Sequence, residues 1–360
     1  MLDAWRAAAQ PAEALVTLPA SQQYLVVWAE PVAWLTTVPP DVRLAAVQVY
    51  ERNVSISSTV APMLAACPQI LGALKLFSPS LTELPESVGQ LTALRTLDLR
   101  RCQSLTGLPE SLGQLTALTT LDLRLCQSLT GLPESTCHLT ALTALTLSSC
   151  MSMTRLPESM SQVTTLMTLH LGGCRLLTGL PEWVQQRTSW VSLGLPPCIR
   201  ILPEWVCHLT ALTTLDLSFC NSLTGLPALI GHLTTLTTLY LIFCQSLTGL
   251  PESMGQLTAL TTLNLSDCSS LTGLPESLGQ LTALQRLDLY GCSALPESVR
   301  RWAPSLVAAN RQFAESRQCL LLLVVHGARR RSHWLPDELW LLVHTMLWQS
   351  QRDRQRASWA

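Results

Sequence analysis

Residues 105–128 read LTGLPESLGQLTALTTLDLRLCQS, and a near copy of these twenty-four letters stands on either side of them. Cysteines recur in register at Cys102, Cys126, Cys150, Cys174, Cys198, Cys220, Cys244, Cys268 and Cys292. Every interval is 24 residues except the 22 between Cys198 and Cys220. Self-similarity at such a period marks stacked coils, each one a supersecondary unit that cannot bury its own apolar face without neighbours. Chain length then says little about domain number, although 360 residues at 48% hydrophobic and 13% charged supply ample core material.

One unit reads as follows. In LTTLDL the leucines alternate with polar residues, which predicts a short half-buried strand with Leu118, Leu121 and Leu123 inward and Thr120, Asp122 and Arg124 outward. Past the cysteine, LTGLPES turns the chain: Pro109 suits the first position of a helical turn, and Glu110 favours that turn's positive end. Leu112 and Leu115 return to the core. Stacking such coils places the strands in a parallel sheet about 4.8 Å apart. Each buried leucine contributes roughly 1.5–3 kcal/mol, so neighbours hold the array together.

The run L-x-x-L-x-L-x-x-C, as in LTALTTLDLRLC, is similar to the cysteine-bearing form of the leucine-rich repeat, over about residues 70–299. The wording LTGLPESLGQLTALTTLDLSFC most resembles the repeats of plant nucleotide-binding immune receptors and of intracellular, Ras-pathway-scaffold-like proteins. The resemblance implies an α/β repeat fold: a right-handed leucine-rich-repeat solenoid, or horseshoe, with a parallel concave β-sheet and short helical or 3-10 segments on the convex side. It also implies a protein-binding role. The receptors' ATPase switch lies outside their repeats and is not carried over, because this chain has no phosphate-binding loop.

The repeated cysteine reads as an interior filler, a small apolar group whose S–H donates weakly to turn backbone. Nine parallel thiols cannot all pair, and stacked side chains suit poorly a bond that needs a dihedral near about 90°. Metal fits less well, since no C-x-x-C or C-x-x-H spacing occurs. The pairs Cys137–His138 and Cys207–His208 are expected on the back of the solenoid, three coils apart. No dinucleotide, zinc-protease or nucleophile-elbow motif is present either. The expectation is a non-enzymatic protein with no cofactor and no metal. Glutamates such as Glu110, Glu134, Glu158, Glu252 and Glu276 read as solvated groups at helical-turn starts.

Function is expected on the concave sheet face. The first outward column is mostly Thr, including Thr96, Thr120 and Thr168. The second runs Asp98, Asp122, Thr146, His170, Gly194, Asp216, Tyr240, Asn264 and Asp288. The third runs Arg100, Arg124, Ser148, Gly172, Pro196, Ser218, Ile242, Ser266 and Tyr290. These two columns vary while the leucines do not, as a binding surface would and as drift at exposed positions also would. The carboxyl half adds Phe219, Phe243, Asp267 and Arg286, giving apolar anchors with a polar rim. The candidate partner is a protein seated on this face.

Unit 177–198 departs from the rule. Trp190 replaces the first strand leucine, and Pro196 and Pro197 stand where the strand ends, so the sheet is expected to kink or break there unless the unit is merely degenerate. Residues 1–58 are expected to form a helical cap. The solenoid follows over 59–299, beginning with the decayed unit CPQILGALKLFSPS, and a second helical cap covers 300–360. In that last segment, LPDELWLLVHTMLWQS predicts an amphipathic helix over 335–350, which resembles the opening helix of an F-box. The resemblance implies an alternative role as a substrate adaptor of a ubiquitin ligase, with a second partner at this helix. From residue 300 the net charge is +6, leaving −7 for the rest. The Arg329–Arg331 cluster reads as a solvated helix end, and nucleic acid is unlikely as a partner, without aromatic interleaving. No stretch has the roughly 18 apolar residues of a membrane span, and the first residues are unlike a secretory signal, so a cytoplasmic protein is expected.

Overall fold

Leucines at every second position leave one strand face apolar, and the chain buries it by laying each strand beside the one a repeat earlier. The structure, a computed structural model, describes residues 24–28, 46–50 and 72–296. The chain divides into two compact units, Met1–Cys198 and Ile199–Ala360. The division falls at the end of the irregular unit 177–198.

In the first unit the strands are β1 (Tyr24–Trp28), β2 (Ala46–Tyr50), β3 (Ala73–Phe77), β4 (Thr96–Asp98), β5 (Thr120–Asp122), β6 (Ala144–Thr146), β7 (Thr168–His170) and β8 (Ser192–Gly194). All pair in parallel, each with its successor. In the second unit β9 (Thr214–Asp216), β10 (Thr238–Tyr240), β11 (Thr262–Asn264) and β12 (Arg286–Asp288) do the same. Register follows the repeat: Leu97 stands beside Leu121, Leu121 beside Leu145, and Leu239 beside Leu263. This is the leucine-rich-repeat coil expected from the sequence.

Two strands lie inside the segment 1–58 for which a helical cap is expected. YLVVW and AVQVY are β-branched and aromatic runs, and Tyr24 pairs with Ala46 at a spacing of 22 residues. Parallel strand pairing therefore continues to the amino-terminal side of residue 59. The remainder of that segment lies outside the described residues, as do the expected cap over 300–360 and the F-box-like helix 335–350. Among the described residues, no helix is long and apolar enough to cross a membrane.

From β3 onward the chain returns through short 3-10 turns such as Glu110–Gln114, with the α-helix α1 (Glu182–Gln186) in one of their places. Pro109 is not the first residue of its turn but the cap before it, with ψ 152°, and its carbonyl accepts from Leu112 N–H at 3.1 Å. The glutamate that follows is not merely solvated. Glu86, Glu110 and Glu252 accept the backbone N–H of Ser111, Ser135 and Ser277 in the next coil at 3.1–3.3 Å, tying successive turns together. Gly113 and Gly255 permit the close stacking, since a Cβ on either would lie 2.6 Å from the carbonyl oxygen of the serine in the next turn.

Eight of the nine periodic thiols are buried, and seven donate to a backbone carbonyl at or just past a strand one coil back. Cys126 reaches Leu99 O at 3.1 Å, Cys174 reaches Leu147 O at 3.1 Å, and Cys268 reaches Leu241 O at 3.0 Å. Cys198 breaks the pattern: it is exposed, because Pro196 and Pro197 take the backbone out of the bend that elsewhere turns the cysteine inward. Burial pushes the Cys102, Cys174 and Cys292 thiols up to about 11. Two outcomes follow. Iodoacetamide at neutral pH, with peptide mapping, should label Cys198 while sparing the buried column until denaturant is added. The folded state holds these protons to higher pH than the unfolded chain, so stability should fall as pH rises from about 9 towards 11. A midpoint unchanged across that range would contradict the burial.

Candidate functional site

The face opposite the 3-10 turns carries the outward columns, and in the first unit four expected residues come together as one ionic cluster. Arg100 Nε lies 2.9 and 3.0 Å from the two carboxylate oxygens of Asp98 and 3.6 Å from Asp122 Oδ2. Arg124 grips Asp122 in the same fork, through Nε at 3.0 and 3.1 Å and Nη2 at 2.6 Å. Asp122 raises the pKa of Arg124, first through this hydrogen bond. The Arg100 guanidinium also sits over the Phe77 ring, 5.4 Å from its centroid.

Asp98 and Asp122 are buried rather than outward-facing, at 5% and 8% exposure. Their position has a structural use that the columns did not reveal. The strand ladder satisfies alternate amides, and Asp98 Oδ1 accepts the intervening Arg100 N–H at 3.1 Å. The same bond joins Asp122 to Arg124, Asp216 to Ser218, Asn264 to Ser266 and Asp288 to Tyr290, at 2.9–3.1 Å. An Asp or Asn accepting from the amide two residues on is a local turn device. Much of the second column therefore holds strand ends in place, with Ser218 and Ser266 buried beside it. His170 stands apart on β7, its Nε2 2.7 Å from Ser192 Oγ.

In the second unit the expected anchors do gather. Phe219 and Phe243 are 41% and 37% exposed and stack on one another, with centroids 5.3 Å apart and planes 15° from parallel. Tyr240 and Ile242 are half-buried one coil along from Asp216 and Ser218, and Tyr290 is 79% exposed. Arg286 is exposed at the start of β12, and Asp267 N–H donates to Tyr290 O at 2.6 Å.

A feature missed in the columns lies one residue before each buried cysteine of the periodic column. Arg101, Leu125, Ser149, Phe219, Phe243 and Asp267 all have φ between 59° and 67°, and Gly173 and Gly291 occupy the same place with φ 79° and 74°. The two glycines were the legible signal, since glycine enters this region at no steric cost. The conformation aims the residue's N–H at the next coil: Phe219 N donates to Ile242 O at 2.7 Å and Phe243 N to Ser266 O at 2.9 Å. For a bulky side chain this backbone is an outlier costing of order 1–3 kcal/mol.

Among the described residues, no group of three or more His, Cys, Asp or Glu stands close enough to hold a metal. Cys137 and Cys207 lie in 3-10 turns, on the other side of the coils from the open face.

A family model described as "Leucine-rich repeat region" matches residues 190–308, and one described as "Leucine Rich Repeat" matches 93–115. The strand register and the thiol column repeat the same unit between and beyond these matches. The chain is a leucine-rich-repeat protein. Solved structures similar to this leucine-rich-repeat protein include a Leptospira interrogans LRR protein, at 22% identity over 73% of this chain and 88% of that one, TM-score 0.41. Another is the leucine-rich repeat domain of the type III effector XopL, at 27% identity over 68% and 77%, TM-score 0.44. An internalin from Listeria monocytogenes is 16% identical over 77% and 86%, TM-score 0.44. No curated protein matches the leucine-rich-repeat chain.

Proposed function

We propose that this protein is a non-enzymatic interaction module that binds a protein partner on its open sheet face, with the main anchors at Phe219 and Phe243. The observation that carries the reading is the stacked, exposed pair held at positive φ. Two large apolar rings stand in water on a backbone that disfavours them, at positions where other coils carry Ser149 or Gly173 without disturbing the stack. A frame needs only the N–H at that place. The rings are surplus to the frame and have the character of interface hot spots, with Asp216 and Tyr240 on the adjoining strands β9 and β10. The described cysteines are free, and most are buried as hydrogen-bonded thiols, which suits a reducing compartment such as the cytoplasm.

The test is affinity capture with intact protein against the double variant Phe219→Asn plus Phe243→Asn. Asparagine accepts positive φ, so the backbone is kept while the rings are removed. Partners retained by the natural protein should be lost, with at least a tenfold drop in affinity for the double variant, on the scale of two hot-spot aromatics. Equal capture by both proteins would remove the basis of this reading.

A further inference from the structure

The amino-terminal part of the open face has a different chemistry. On β3 to β5 the exposed groups are cationic and the anions lie beneath them. Arg100 and Arg124 side chains are 37% and 45% exposed, whereas those of Asp98 and Asp122 are 7% and 11% exposed. The carboxylates fix the guanidiniums through backbone N–H and fork contacts, and because each Asp–Arg pair is neutral as a whole, the net positive charge of this surface comes from its flanking cations. Arg124 uses Nε and Nη2 on Asp122, and among the described residues no hydrogen bond of its Nη1 accompanies them on this exposed side chain.

Three further cations border this fork. Lys75 stands beside Asp98 in the register of β3 and β4. Arg95 is exposed just before β4, and Arg101 is exposed just past it, at φ 66°. Among the described residues none of these three forms an ion pair. In the second unit the places of Arg100 and Arg124, two residues past the Asp column, are taken by Ser218, Ile242, Ser266 and Tyr290, so the paired arginines belong to β4 and β5.

We propose that this surface binds an extended acidic peptide segment, two or three of whose carboxylates meet the oriented guanidiniums and the flanking Lys75, Arg95 and Arg101. The inference rests on the open face being the protein-binding surface and names the chemistry of one ligand. Three parallel strands span roughly 10–15 Å, the reach of about four extended residues. Guanidiniums held in plane by a partner carboxylate lose little freedom on meeting another, and planar forks match carboxylates bidentately. A nucleic acid suits the surface less well. Phe77, the ring that touches the cluster among the described side chains, already carries Arg100 over its face, which leaves less of it for base stacking.

The experiment measures anisotropy of labelled octapeptides on the full-length protein: alternating Glu and Ser, the same with Gln for Glu, the same with Lys for Glu, and an octameric oligouridylate. The variant is Lys75→Thr, Arg95→Thr and Arg101→Ser together. Neighbouring coils already carry these replacements, at Thr146, at Thr119 and Thr143, and at Ser149, so the frame tolerates them. The Glu peptide should bind, and the Gln and Lys peptides should not. Raising salt from about 50 mM to about 500 mM should weaken binding several-fold, as screening requires. The triple variant should lose about tenfold in affinity at low salt while keeping its circular dichroism and unfolding midpoint. Phe219→Asn plus Phe243→Asn should leave the Glu peptide unaffected, so this inference and the partner reading fail independently. Equal binding of Glu and Gln peptides, full affinity in the triple variant, or tighter binding of the oligouridylate would each overturn the proposal.

Discussion

Trp190→Ala should destabilise the first unit by about 3–5 kcal/mol, the range for truncating a large buried aromatic. Trp190 stands where other coils place a leucine, yet it is fully buried and the largest such side chain in the described core. Three changes around it make the substitution fit. Its Nε1–H donates to Val184 O at 3.0 Å, giving the helix α1 a partner at its last turn. Trp183 packs against it, with centroids 6.4 Å apart, and its own Nε1–H reaches Pro157 O of the preceding coil at 3.2 Å. Arg187 lies over both rings, 5.7 and 5.4 Å from their centroids, and its Nη1 donates to Val163 O and Leu166 O at 2.7 and 3.1 Å. Burial lowers the pKa of Arg187, a cost that the two carbonyls and two ring faces offset. Alanine leaves a cavity of ring size, removes one face from the arginine and orphans the Val184 carbonyl. The loss should appear in denaturant unfolding followed by far-ultraviolet circular dichroism. A shift under about 1 kcal/mol would mean that the aromatic cluster is peripheral to the stack.

Gly255→Ala should cost about 2 kcal/mol, although alanine is the better residue for helical turns by roughly 1 kcal/mol. The added methyl would lie 2.6 Å from both Ser277 Cβ and Ser277 O, and 2.8 Å from Gln280 Oε1. The serine contacts are to a backbone that the Glu252 carboxylate ties down by accepting Ser277 N–H at 3.1 Å, so the next turn cannot yield without losing that bond. Gly249 provides the control, because nothing lies within 4 Å of a Cβ there. Gly249→Ala should be neutral or slightly stabilising. Cys137 and Cys207 occupy the same place in two other turns, so the cost at 255 is that of moving its own neighbour, and it is local. Comparable midpoints for the two alanine variants would show that the turns are not in contact.

The period, the alternation and the inward thiols were legible because they are set by packing, which repeats wherever the coil repeats. Leu118, Leu121, Leu123, Leu112 and Leu115 are fully buried, as their spacing requires. Deviations were harder. Tyr24–Trp28 and Ala46–Tyr50 have the right residues for strands, but without the leucine and cysteine markers their spacing of 22 residues is not conspicuous. Cys198 keeps the 24-residue interval yet turns out to solvent, because interval reports position along the chain and not the local path that Pro196 and Pro197 impose.

The site divides in the same way. Alternation placed Asp98, Asp122 and Asn264 on the open face but gave no sign that their side chains would fold back onto the amide two residues on and become buried. The Phe219–Phe243 stack joins residues 24 apart and depends on a positive φ that only Gly173 and Gly291 advertise.

That pair also offers the most direct measurement. If the rings are held for contact and not for stability, the Phe219→Asn plus Phe243→Asn protein relieves two strained backbones by about 1 kcal/mol each and gives up one exposed aromatic stack worth roughly 0.5–1.5 kcal/mol. The account predicts a denaturant midpoint equal to or above that of the natural protein, by up to about 1 kcal/mol, in the same sample that has lost its partner. A clear fall in the midpoint would show that the phenylalanines belong to the frame and would contradict the account.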